Sequence, residues 1–202
     1  MEQGTPETRR DVILSRIRKG EREAFEDLVN ETWDDLVEHL AWILGAREAA
    51  EDASQEALIR VWEHRGRWRE GSARALVFRI GRNVAFDVRR RERTRRDWVA
   101  TQRAEGIQGS EGPDELAESS EYERRFREAL ASLAPGRREV IELVRLRGLK
   151  HQEVAEILEI SQQTVANRMS LALADLRVLL ADILPDLLVD RPSSRRRETD
   201  DG

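Results

Sequence analysis

Apolar residues in this chain recur at three- and four-residue steps, and no stretch alternates apolar with polar residues as a half-buried strand would. That period admits helices and little else. Phe25, Leu28, Val29, Leu36, Val37, Leu40 and Leu44 trace one face of a long helix expected over 22–44, while Asp27, Glu31, Asp34, Asp35 and Glu38 fall mostly on its other faces. Gly45 is placed to end it in a left-handed cap. Further helices are expected over 47–64, with Ala50, Ala53, Ala57, Leu58 and Val61 inward, over 73–82 and over 84–101. Residues 104–121 interrupt the pattern with three glycines, a proline and six acids, the composition of an extended tether. Periodicity resumes near 122, turns at Pro135-Gly136, continues to about Arg147 and stops at Gly148; two short helices follow over 151–158 and 162–180. The fold expected is all-α: two small helical domains, 10–103 and 122–184, joined by an acidic flexible linker, 104–121, with a frayed tail over 185–202.

Composition removes several classes of function. The 202 residues include no cysteine, which excludes a disulfide scaffold, thiol catalysis and thiolate zinc sites. Apolar runs are only a few residues long, so no membrane insertion is expected. The first 20 residues lack the apolar core of a signal peptide, and the cytoplasm is the expected compartment. His39, His64 and His151 fall on separate predicted segments without metal-ligand or triad spacing. Glu56 and His64, eight residues apart on one helix, stand about 12 Å apart along it, too far for a joint catalytic pair. Neither a cofactor, a metal nor an enzymatic reaction is expected.

The net charge of −5 conceals a segregation: residues 21–56 carry −10, 57–103 carry +9 and 104–121 carry −6. Opposite sectors of this size point to different partners for different faces. Within 62–98, arginines interleave with Trp62, Trp68, Phe78 and Trp98, and six of the eight residues 89–96 are arginine. Guanidinium groups neutralise phosphates and aromatic rings stack on unpaired bases, the combination expected for single-stranded nucleic acid. Asn83 falls between the two helices expected here, where an amide can hydrogen-bond an extruded base.

Residues His151 to Arg168 have the spacing of a helix-turn-helix. Val154, Ala155 and Leu158 form the inner face of its first helix, Ile160 plugs the turn, Ser161 is the N-cap candidate of the second helix, and Val165 and Met169 face inward again. Gln162, Gln163, Thr164, Asn167 and Arg168 remain near the exposed N-terminal end that such motifs place in the major groove. Gln and Asn suit adenine, and Arg suits guanine. From 162 to 180 the only cations are Arg168 and Arg177, so the motif on its own is expected to bind DNA weakly.

Three segments in order, Glu51-Asp-Ala-Ser-Gln-Glu-Ala-Leu-Ile-Arg-Val-Trp62, Phe78-Arg-Ile-Gly-Arg-Asn-Val-Ala-Phe-Asp-Val-Arg-Arg-Arg91 and the helix-turn-helix, carry a resemblance over about residues 10–182. The chain resembles the extracytoplasmic-function (ECF) group of the sigma-70 family of bacterial RNA polymerase sigma factors. The resemblance implies a subunit that binds core RNA polymerase and directs initiation at chosen promoters, with a sigma-two-like first domain and a sigma-four-like second. It assigns Asp52, Gln55, Glu56 and Ile59 to the clamp helices of the beta-prime subunit. These residues also share one helix face, opposite the alanines, where Ile59 is an apolar residue among acids. It assigns Phe78, Arg79, Arg82, Asn83, Arg89, Arg90 and Arg91 to recognition and opening of the minus-ten element, Asn83 capturing a flipped base. It assigns Ser161, Gln162, Gln163, Thr164, Asn167 and Arg168 to minus-thirty-five duplex DNA, with the beta flap as a further contact. An anti-sigma factor is a usual partner in the family. Four residues depart from the family pattern: Ala73 and Leu76 where aromatics are frequent, Glu159 where a glycine often makes the turn, and Ala166 in place of a usual lysine. The competing reading is a stand-alone, sigma-derived helix-turn-helix regulator, which needs a dimer surface and a stronger recognition helix.

Overall fold

The computed structural model describes residues 6–68, 71–102 and 121–181. The tether expected over 104–121, apart from Glu121, and the tail expected over 185–202 lie outside the described residues. Eight α-helices and no strand occur among the described residues. Helices α1 (Pro6–Arg18), α2 (Arg22–Leu44), α3 (Arg47–Glu63) and α4 (Ala73–Gln102) pack together in the first half, with a single 3-10 turn at Arg65–Arg67. Helices α5 (Glu121–Ser132), α6 (Pro135–Ile141), α7 (His151–Leu158) and α8 (Gln162–Leu179) build the second, and α7 lies against α4.

The expected core is largely the observed one, with Phe25, Val29 and Leu44 half-buried at its edge. Leu28, Leu36, Val37 and Leu40 of α2 and Ala50, Ala53, Ala57, Leu58 and Val61 of α3 are all buried. Each Leu or Val removed from water contributes about 1.5–3 kcal/mol, which gives α2 and α3 a register that propensity alone would not. Gly45 ends α2 at φ 77°, and its N–H donates to the Ala41 carbonyl at 2.7 Å.

Three features differ from the sequence reading. First, α1 was not foreseen. Its apolar residues are few among charges, yet Leu14 and Ile17 are buried, and Gly20 at φ 83° closes the turn that follows. Second, the helices expected over 73–82 and 84–101 are one helix, α4, of 30 residues. Neither Gly81 nor Asn83 breaks it. A Cβ at Gly81 would stand 2.9 Å from Leu36 Cδ1 and 3.2 Å from Leu40 Cδ1, so the glycine serves close approach of α4 to α2 rather than a turn. Third, the helix after Pro135 widens into a π turn at Glu142–Leu146. Arg147 N–H donates to the Glu142 carbonyl at 3.1 Å, five residues back. There Val140, Ile141, Glu142 and Leu143 are all buried in succession, because α8 covers this segment on one side and the first half covers it on the other.

Candidate polymerase and nucleic-acid interfaces

Helix α3 has two unlike faces. The small residues Ala50, Ala53 and Ala57 are buried and let α3 lie close to α2 and α4. Asp52, Gln55, Glu56, Ile59 and Glu63 are all exposed on the opposite side. Ile59 is 56% exposed amid these acids, and Glu56 accepts from Arg60 one turn later.

Helix α4 divides the residues expected at the minus-ten element into three kinds. Phe78 is fully buried, its ring 5.6 Å from His39 and covered by the Arg74 guanidinium, so in this conformation it packs the core and presents nothing to DNA. Arg82 is engaged by Glu139 of the second half, Nε at 2.6 Å and Nη2 at 3.2 Å, and stacks over Phe86. Arg79 is half-buried and borders a cavity with Arg67, Trp68, Ser72 and Glu156. Asn83, Arg89, Arg90 and Arg91 are exposed, Arg90 paired with Asp87 at 2.9 Å. Asn83 thus sits within a continuous helix and not at a junction. Phe86, 41% exposed and three residues along the same face, was not singled out from the sequence. An aromatic one turn from an exposed amide, within a basic run, was the signal available. Ala73 and Leu76 are buried. Trp62, also counted in the basic-aromatic run, packs on the core, 5.0 Å from Phe25 and under Arg65.

The helix-turn-helix is formed by α7 and α8. Glu153 caps α7 by accepting from the Lys150 N–H at 2.9 Å. Val154 and Ala155 are buried, and Glu159 takes the left-handed conformation at φ 55° that the turn demands. Ser161 caps α8, its Oγ accepting from the Thr164 N–H at 3.1 Å. Val165 and Met169 are buried. Ser161, Gln162, Gln163 and Asn167 are exposed, with Gln163 donating to Asn167 at 3.0 Å, whereas Thr164 and Arg168 are half-buried. The Arg168 guanidinium lies over Gly136, where a Cβ would meet Nη1 at 3.1 Å.

Between the halves runs a charged seam that sequence reasoning did not identify. His39 Nδ1 donates to Glu142 Oε2 at 2.6 Å, both side chains almost wholly buried. Arg147 binds Glu142 Oε1 at 2.7 Å and pairs with Glu38 across the seam. Arg74 reaches Asp35 at 2.5 Å and the Arg147 carbonyl at 2.9 Å. Ser72 Oγ donates to Glu153 Oε1 at 2.8 Å, and its N–H points to Glu156 Oε2 at 3.4 Å. Burial pushes the Glu142 carboxyl up, but hydrogen bonds and charge from His39 and Arg147 outweigh it and hold the carboxyl below its ordinary value. Burial likewise opposes the Arg147 charge, and Glu142 and Glu38 more than restore it. The available signal was an acid, Glu142, inside the apolar run Val140-Ile141-Glu142-Leu143.

Among the described residues no helix is long and apolar enough to cross a membrane, and no group of three or more His, Asp or Glu is placed to hold a metal ion.

The Sigma-70 region 2 model matches residues 34–95, and the Sigma-70, region 4 model matches residues 123–176. The chain is 32% identical over 144 residues to the ECF RNA polymerase sigma factor SigL of Mycobacterium tuberculosis, covering 70% of this chain and 80% of that one. It is 30% identical over 188 residues to the ECF RNA polymerase sigma factor SigX of Bacillus subtilis, covering 89% and 95%. In fold it is similar to the sigma factor RpoE of Bartonella quintana, solved with the anti-sigma factor NepR, at a TM-score of 0.58 and 25% identity over 77% of this chain and 96% of that one. It is also similar in fold to CnrH, solved with the cytosolic domain of CnrY, at a TM-score of 0.61 over 85% and 97%. These likenesses do not favour a stand-alone regulator. With both region models matched in order and the exposed α3 face, basic α4 and helix-turn-helix in place, the chain belongs to the ECF sigma factors of the sigma-70 family, subunits that direct RNA polymerase to promoters.

Proposed function

We propose that the exposed face of α3, Asp52, Gln55, Glu56 and Ile59, docks the chain on the beta-prime clamp helices of core RNA polymerase. The observation that carries this reading is Ile59, more than half exposed within a ring of acids on a helix whose other side is packed alanine. On the same reading the exposed side of α4, Asn83 with Arg89, Arg90 and Arg91, meets the minus-ten strand, and Arg79 and Arg82 join it when released from their present surroundings. Phe78 supports that helix from within. Ser161, Gln162, Gln163, Thr164, Asn167 and Arg168 face the minus-thirty-five duplex, with the beta flap holding the second domain. The domains extend over 10–103 and 122–184, and the acidic tether 104–121 sets their spacing. A protein partner of the anti-sigma kind, such as RpoE has in its complex, extends to this chain by likeness. The setting is the cytoplasm, and the chain contributes specificity while the polymerase performs the chemistry.

The test is co-elution of purified protein with sigma-free core polymerase at moderate salt. The wild type is expected to co-elute. The Asp52→Ala, Gln55→Ala, Glu56→Ala variant is expected to be folded by circular dichroism and to lose co-elution. A wild type that stays apart from core would overturn the reading.

A further inference from the structure

Helix α4 outlasts the body it packs on. Its residues 73–88 are mostly buried or half-buried, whereas Arg89 to Arg96 are all exposed. Six of those eight residues are arginine, and the other two are Glu92 and Thr94. Arg90, Arg91, Thr94 and Arg95 line one shallow depression. Thr94 is exposed, and its Oγ1 donates to the Arg90 carbonyl at 3.1 Å. Arg90 pairs with Asp87 at 2.9 Å and Arg96 with Glu92 at 3.8 Å, exposed pairs that stabilise little. With the side chains of 89–96 in water, local contacts and intrinsic propensity hold these turns. Unwinding them leaves both packed halves intact.

The hydroxyl in this run has a particular setting. Arg89 and Arg91 stand five and three residues before Thr94. Arginine-directed serine/threonine kinases read such a charge pattern in a substrate drawn out straight. Ser72 has the same spacing after Arg67 and Arg69, but it is buried and its Oγ donates to Glu153 at 2.8 Å. Exposure and a loosely held backbone distinguish Thr94 from it.

We propose that Thr94 is a phosphorylation site for an arginine-directed serine/threonine kinase, and that its modification weakens the hold of α4 on DNA. Thr94 Oγ1 attacks the γ-phosphorus of ATP. A new O–P bond forms, the bond to the β–γ bridging oxygen breaks, ADP leaves, and the hydroxyl proton passes to the catalytic carboxylate of the kinase. The consequence follows from helical geometry. Arg91 and Arg90 lie three and four residues before Thr94 on the same face, so a phosphate on Oγ1 comes within reach of both guanidinium groups. It brings about −1.5 to −2 charge and three acceptor oxygens. Residues 89–96 carry six arginines and one glutamate, a net +5, which falls to about +3. Arg90 and Arg91 belong to the surface read above as meeting the minus-ten strand, and the DNA consequence rests on that reading. The α3 face is on another helix, so docking on core polymerase is untouched.

The full chain is treated with ATP, Mg2+ and a purified kinase that selects arginine three and five residues before its acceptor, and phosphates are located by mass spectrometry. Expected is phosphate on Thr94 of the wild type. A Thr94→Val variant, treated in the same way, carries any phosphate placed elsewhere, such as on Thr199, which also follows arginines. Each treated protein is assembled with core polymerase and bound to a duplex that the untreated holoenzyme selects from a random pool. Treated wild type is expected to co-elute with core as before and to bind the duplex about tenfold more weakly than treated Thr94→Val. Its slope of log affinity against log salt is expected to be shallower by about 1.4, the share of two single-strand phosphate contacts. Untreated Thr94→Glu, with one negative charge, is expected to move in the same direction by less. No phosphate on Thr94 of the folded chain overturns the proposal, as does a phosphate there that leaves affinity and slope equal to those of Thr94→Val. Failure of the untreated chain to co-elute with core sinks the sigma reading and the DNA consequence with it, while the mapped phosphate still decides the site.

Discussion

Glu159 is the only non-glycine residue with positive φ among the described residues, and it sits at the hinge of the helix-turn-helix. A side chain in the left-handed region costs about 1–2 kcal/mol, because its Cβ crowds the following carbonyl. The turn imposes that conformation, since Ile160 N–H must reach back to the Ala155 carbonyl at 3.1 Å while Ser161 begins the next cap. Glu159→Gly removes the crowding but loosens the unfolded chain by about 0.4–1 kcal/mol, leaving a net gain of about 0.5–1 kcal/mol. The urea midpoint is expected to rise with an unchanged slope. A Glu159→Val substitution, with a β-branched side chain in the same conformation, is expected to lower it. Gly81 makes the opposite case: its value lies in missing volume against Leu36 and Leu40, which no local pattern reveals.

At the scale of elements, α8 is short of charge for a helix that meets duplex DNA. Its cations are Arg168, half-buried over Gly136, and Arg177; the neighbouring Arg137 is held by Asp175 at 2.6 Å. Each phosphate neutralised adds about 0.9 to the slope of log affinity against log salt. Ala166→Lys, on the first turns of α8, is expected to tighten binding of the polymerase complex to promoter duplex and to steepen that slope by about one. An unchanged slope would place position 166 away from the backbone. The helices that proved legible, α2, α3, α7 and α8, owe this to a one-sided apolar stripe and a local cap, as with Gly45 and Ser161. Those misread owe their form to distant packing. α1 is held by Leu14 and Ile17, with Ile13 packed beside the core; α4 runs unbroken because Gly81 is needed by α2; the π turn exists where both halves press on residues 140–143. The α3 face was legible because it is a surface of one helix, whereas the engagement of Arg82 and the burial of Phe78 depend on partners 57 residues on and on the opposite helix.

At the scale of the whole molecule, Glu142 lies in the seam between the two halves and makes its contribution to their packing pH-dependent. The groups facing it are His39 of α2 and Arg147 from its own turn, the latter also bound to Glu38; Arg74 of α4 is tied to the Arg147 carbonyl and to Asp35. Its carboxyl is held below the ordinary 4.5 in the closed form and returns toward that value once exposed. The separated form therefore binds the proton more readily. It follows that this group's contribution to closure is fully present above about 4.5 and is lost as pH falls through its depressed value. With dyes on Glu48→Cys and Ala174→Cys, exposed positions of the two halves, energy transfer is expected to fall as pH drops below about 4.5. Glu38, Glu139, Glu153 and Glu156 also line the seam, so the share due to Glu142 is the difference between the wild type and Glu142→Gln. In that variant the starting transfer is lower, because Arg147 keeps Glu38 but loses its buried partner, and the acid fall is shallower. An acid profile identical in the two proteins would mean that the His39–Glu142 contact does not hold the halves together, and the weight of closure would then rest on Arg82–Glu139 and on the apolar contact of α4 with α7.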